Sequence, residues 1–121
     1  MKPPGSDHPI TIAPNSSRVR VMLGGKVVAD TRRALTMREA SLAPVQYIPR
    51  EDVDMALLTR TAHATHCPYK GDASYFTVSA DGRTAENAVW SYEQPIPAVA
   101  AIAGRLAFYP GRVDRIEELP A

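Results

Sequence analysis

Arg18-Val19-Arg20-Val21-Met22-Leu23 begins with strict alternation of charged and apolar residues, and after Gly24-Gly25 the chain resumes as Lys26-Val27-Val28-Ala29-Asp30. A period of two sends successive side chains to opposite faces, so one face of such a strand enters a core and the other meets water. A two-residue glycine connection supplies the positive φ angles of the turn that matches strand twist, so the segment predicts a β-hairpin. The same grammar recurs downstream, where Ser74-Tyr75-Phe76-Thr77-Val78 is followed by Asp81-Gly82 and the partner run Arg83 to Trp90. Two such hairpins in one short chain predict a mainly β fold.

Pro9-Ile10-Thr11-Ile12 fits a short edge strand, because proline is tolerated where a strand starts, and Asn15-Ser16-Ser17 is a turn. Ala34 to Glu39 forms a third strand with Leu35 and Met37 inward, and Val45 to Ile48 a strand stopped by Pro49. Asp52 to Leu58 carries Val53, Ala56 and Leu57 at helical spacing behind an acidic start, which predicts a helix. Arg60 to Lys70 has no period and is read as a loop. Pro97 opens a second helix that runs through alanines to Ala103 and ends at Gly104. Arg105 to Tyr109 and Val113 to Leu119 are further strand candidates. The sum is a single domain of short, bent antiparallel sheets with two short helices, spanning residues 18–121 behind an arm at residues 1–17 that holds the edge strand.

Composition excludes several function classes. In 121 residues, 14 Lys and Arg face 13 Asp and Glu, and the net charge is +1. No domain-wide positive field exists to draw nucleic acid or an anionic membrane surface. No apolar run approaches the ~20 residues of a membrane span, and Met1 to His8 lacks the apolar stretch of a signal peptide. A cytoplasmic location is the expectation. The single cysteine, Cys67, rules out an internal disulfide and an all-cysteine zinc site. His63, His66 and Cys67 offer three ligands where a structural site takes four, so no metal and no cofactor is expected.

Chemistry-bearing residues concentrate in Thr65-His66-Cys67-Pro68-Tyr69-Lys70-Gly71-Asp72-Ala73-Ser74-Tyr75. A thiol beside a base and an ammonium is the raw material of a nucleophile, which makes Cys67 and His66 the catalytic candidates. The competing reading is a free cysteine, mostly buried and packed as a small hydrophobe, with His66 bonded to backbone. Asp52-Val53-Asp54 has the spacing on which nucleotidyltransferases hold two metal ions, but the phosphate-gripping Gly-Ser segment is absent. Trp90-Ser91-Tyr92-Glu93 places the only tryptophan beside a tyrosine and an acid. Rings with a few polar tips are the usual lining of a small-ligand pocket. Tyr47, Tyr75, Trp90 and Tyr92 are therefore read as the walls of a cleft. Lys70 stands at its mouth, and Arg32 and Glu39 are further charged candidates. Tyr75 and Trp90 lie about six to nine residues from the Asp81-Gly82 turn, so the hairpin can bring their rings near each other, in a register that the turn alone does not fix.

Tyr47-Ile48-Pro49-Arg50-Glu51-Asp52-Val53, the Thr65 to Tyr75 motif, and Trp90-Ser91-Tyr92 with Gly104 and Ala107-Phe108-Tyr109 together resemble the DUF427 family, over roughly Arg18 to Ile116. The resemblance implies a β-rich domain similar to Mss4 and methionine-sulfoxide reductase B, the β-tent. Many tent domains pin their sheets with zinc on paired Cys-x-x-Cys motifs, which this chain lacks. Several bind small ligands in an aromatic pocket between sheets. The expectation is a small-molecule-binding domain. The alternatives are a small enzyme using Cys67 and His66, a nucleotidyltransferase-like activity, and a homodimeric interaction module joined through an exposed β edge.

Overall fold

A computed structural model describes residues 8–120, so of the N-terminal arm Met1 to Asp7 lie outside the described residues. The described residues form ten strands: β1 (Ile10–Pro14), β2 (Arg18–Leu23), β3 (Lys26–Thr31), β4 (Leu35–Glu39), β5 (Val45–Tyr47), β6 (Leu58–Cys67), β7 (Gly71–Ala80), β8 (Arg83–Ser91), β9 (Ala107–Phe108) and β10 (Arg115–Leu119). They make three antiparallel sheets, ordered β1-β4-β5, β10-β2-β3 and β6-β7-β8-β9. Both anticipated hairpins are present. Gly24 and Gly25 have φ of 61° and 78°, and Asp81 and Gly82 have 48° and 78°, so each turn places two consecutive residues in the left-handed region, as tight hairpins require. Gly24 is further fixed because a Cβ there would lie 2.7 Å from the Ala80 carbonyl oxygen, so the two hairpin tips touch.

The four-stranded sheet is covered on both faces along β7 and β8, and each face owns a different core. Phe76, Val89 and Phe108 sit side by side across β7, β8 and β9 and join Val19, Val21, Leu23, Val28 and Leu106 in an aliphatic cluster beneath the β10-β2-β3 sheet. The next positions along the same strands, Tyr75, Trp90 and Ala107, are also register partners and face the opposite way. They pack with Met37 of β4, Tyr47 of β5, Tyr92, Ile96, Val99 and Ile102 in a second, aromatic cluster. Reciprocal backbone hydrogen bonds between Ile48 and Leu106, 2.8 and 2.9 Å, tie the β5 end to the central sheet.

Three expectations change. Arg60 to Cys67 is not a loop but most of β6, an edge strand of the central sheet. Thr59, Arg60 and Ala62 to His66 are exposed, so neither face carries the apolar period that reveals a strand. Asp52 to Leu58 is not one helix but parts of two single 3₁₀ turns, Arg50–Asp52 and Met55–Leu57, separated where Val53 bridges to Ala29 in extended conformation. Pro97–Ile102 is a 3₁₀ segment broken at Val99, whose φ of −123° lets Val99 and Ile102 both enter the aromatic cluster. Among the described residues, no helix is long and apolar enough to cross a membrane.

Candidate functional site

A cavity of about 210 Å³ opens between the β1-β4-β5 sheet and the aromatic face of the central sheet. Tyr47, Tyr75, Trp90, Tyr92 and Tyr109 line it, with Glu39 and Lys70 at its polar end. Antiparallel pairing explains the grouping: Tyr75 and Trp90 are direct partners on one face, and Tyr92, two residues beyond Trp90, packs into the same cluster. Tyr47 arrives from β5, opposite. The Trp90 indole N–H donates to the Tyr47 hydroxyl at 3.2 Å, and the two rings meet edge to face with centroids 6.4 Å apart. Tyr109 leans against Trp90 at 4.4 Å. The Tyr75 hydroxyl shares hydrogen bonds with Thr65 at 3.0 Å and Tyr109 at 3.4 Å.

The polar end is an ion pair. Lys70 donates from Nζ to Glu39 Oε1, while His8 Nε2 lies 2.8 Å from Oε2. The lysine and glutamate side chains are only 12% and 10% exposed, so water screens the pair little. Burial opposes the charge on Glu39, but the hydrogen bonds from Lys70 and His8 outweigh it and hold the carboxyl below the usual range. The Lys70 ammonium also stands 5.6 Å from the centre of the Tyr92 ring. The stacking of His8 on Tyr69, 3.7 Å between centroids, fixes the far side of the pair.

The phenols are held in their neutral, donor-bearing form. Burial, followed by neighbouring ionisable groups, pushes the Tyr92 hydroxyl well above its ordinary value. Burial does the same to Tyr47 against the hydrogen bond from Trp90. Tyr109 is raised to about 12, first by burial and then by its bond with Tyr75. Tyr92 differs from the others: among the described residues its hydroxyl has no hydrogen-bond partner. A phenol facing a cavity with its donor unused is a group that a ligand can engage.

Of the residues singled out in the sequence, Tyr47, Lys70, Tyr75, Trp90, Tyr92 and Glu39 come together around this one cavity. Lys70 does so as a paired charge rather than a free ammonium. Arg32 does not join them; it lines a shallow surface depression with Arg18, Asp30, Thr31, Arg33 and Asp52. His66 and Cys67 are adjacent on β6 and therefore face opposite ways. His66 Nδ1 pairs with the exposed Asp72 at 2.6 Å, whereas Cys67 packs half-buried against the aromatic cluster. Asp52 is engaged by Thr31 at 2.7 Å and Arg33 at 3.1 Å, which makes it a brace between β3 and the first 3₁₀ turn. Among the described residues, no three His, Cys, Asp or Glu side chains converge as a metal-ligating group.

Met37, Leu42, Ala43, Val45 and Tyr109 also line the cavity and were not singled out in the sequence. Tyr109 was visible as an aromatic in the Ala107-Phe108-Tyr109 stretch. Leu42, 61% exposed, carried only the signal of a large apolar residue in a loop.

A search of curated proteins finds no match to this chain. Residues 11–119 match the family model described as a domain of unknown function (DUF427). That match takes in β2 to β10, all of β1 but Ile10, and every residue of the cavity, and the chain belongs to the DUF427 family.

Proposed function

We propose that this protein binds a small, neutral heteroaromatic molecule in the cavity between the β1-β4-β5 sheet and the central sheet. The observation that carries the reading is the meeting, in one cavity of about 210 Å³, of five aromatic side chains with a carboxylate–ammonium pair. Aromatic walls favour a flat ring, in offset or edge contact. The ion pair cancels its own net charge, so an anionic ligand has to compete with Glu39 for Lys70. A neutral ligand with one donor and one acceptor can instead address Glu39 and Lys70 together, with the Tyr92 hydroxyl as a third contact. The β-tent resemblance supports the same location by analogy alone. An enzyme built on Cys67 and His66 draws no comparable support, since the two side chains leave β6 on opposite faces.

Trp90 is the only tryptophan and forms a wall of the cavity, so its emission responds to occupancy, and the Tyr92→Phe variant assigns the response to this cavity. Nicotinamide, used as a probe of the class, should change Trp90 emission saturably. Tyr92→Phe should weaken it by about tenfold, the loss of one hydrogen bond worth ~1.4 kcal/mol. Nicotinate should bind less well than nicotinamide. A change that stays linear in concentration for nicotinamide and related heteroaromatic amides alike would remove the reading.

A further inference from the structure

Trp90 and Val45 have a second exposure. Both also line a neighbouring groove of about 310 Å³, where β5, β9 and β10 come together beyond the short β9 edge of the central sheet. Its walls are Val21, Ile48, Phe108 and Ile116, with Pro44 and Pro110 at the opening. Val21 and Ile48 are 0% and 1% exposed, so the floor of the groove is the aliphatic core itself. The groove exists because β9 is two residues long, and the sheet edge stops before the flanking strands do.

Two polar residues border it, and one oxygen of each is already engaged. Gln46 Oε1 accepts from Asn15 at 3.0 Å and from Thr36 at 2.9 Å. Glu118 Oε1 accepts from the other side of the same Asn15 amide at 2.8 Å. A polar ligand atom placed against the Val21, Ile48, Phe108 and Ile116 walls would lose its water and gain no partner from them. A hydrocarbon loses nothing by entering and buries apolar surface on both sides. The one formal charge at the border, Glu118, is negative and disfavours a carboxylate head.

We propose that this groove is a second binding site, one that takes an uncharged aliphatic chain. It is separate from the aromatic cavity and does not depend on that cavity being occupied. Octanol is the probe, and the methyl resonances of Val21, Ile48 and Ile116 are the readout. Octanol should shift all three saturably. Octanoate at neutral pH should bind more weakly, because its carboxylate meets Glu118 and must shed water. Ile116→Phe fills the groove from the exposed β10 strand without entering the core floor. It should weaken octanol by about tenfold or more, the equivalent of ~1.4 kcal/mol. The octanol–octanoate comparison needs no variant and stands even if Ile116→Phe folds poorly. Absence of a saturable shift with octanol, equal affinity for octanoate, or unchanged octanol binding in a folded Ile116→Phe protein each overturns the proposal.

Discussion

The two faces of the central sheet invite comparison. One, the more closed face, carries an aliphatic cluster in which Val, Leu, Ile, Ala and Phe side chains pack on one another and meet solvent at the apolar groove beyond β9. The other, the open face, carries tyrosines, a tryptophan and a half-buried cysteine beside a buried ion pair, around a cavity whose lining is polar as well as aromatic. Adjacent residues of the same strands, Tyr75 and Phe76 or Val89 and Trp90, are sent to these two environments by strand alternation alone. Hydrocarbon burial contributes roughly 25 cal/mol per Å² without any demand on geometry. Buried hydroxyls and charges contribute only where each finds its partner. The first face therefore carries stability, and the second carries specificity.

The largest effect should come from opening the closed face. Phe76→Ala leaves a hole between β7 and β8 and should lower stability by about 3–5 kcal/mol in chemical denaturation. Its effect on the aromatic cavity should be limited to that loss of stability. Next is the ion pair of the open face. Glu39→Gln leaves Lys70 short of its counter-charge in a poorly solvated position and should cost roughly 2–3 kcal/mol. The same residue gives the open face a pH dependence. Glu39 has a folded pKa below its unfolded value, so its contribution is complete above about pH 4.3 and is lost as pH falls through the lower folded value. Denaturation curves of the wild type should lose that increment on acidification, and Glu39→Gln should not.

Smaller effects separate the phenols. Tyr47→Phe strands the Trp90 N–H and should cost about 1–2 kcal/mol. Tyr92→Phe removes a hydroxyl with no partner among the described residues, and its thermal midpoint should shift by no more than the equivalent of about 0.5 kcal/mol. A large loss in Tyr92→Phe would erase the distinction between the two faces.

The closed face was nearly all legible in the sequence because its signals are local. Val19, Val21 and Leu23 alternate, and Gly24-Gly25 and Asp81-Gly82 fix the turns, whereas the pairing of Tyr75 with Trp90 depends on a register shift between Phe76 and Val78 that the second turn does not set. Segments whose conformation is decided by distant contacts were not legible. Asp52 to Leu58 has helical spacing, but the bridge from Val53 to Ala29 and the bond from Thr31 to Asp52 hold it extended at its centre. β6 hides its strand character because little covers it. In the open face the ring-bearing residues were recognisable by type. The pairing of Lys70 with Glu39 was not, because 31 residues separate them and only the meeting of β4 with the β6–β7 turn brings them together. The same separation explains why Arg32, similar in sequence terms to Lys70, ends on the outer surface with Asp30 and Asp52.

Whether the open face is left open for a ligand is tested most directly by a crystal structure of the protein soaked with nicotinamide and related heteroaromatic amides. The account predicts a flat ring bound against Trp90 and Tyr109, with polar atoms within hydrogen-bond distance of Glu39, Lys70 or the Tyr92 hydroxyl. A structure in which the cavity stays empty, or is closed by Tyr92 or Leu42 while the amides lie only on outer surfaces, would contradict it.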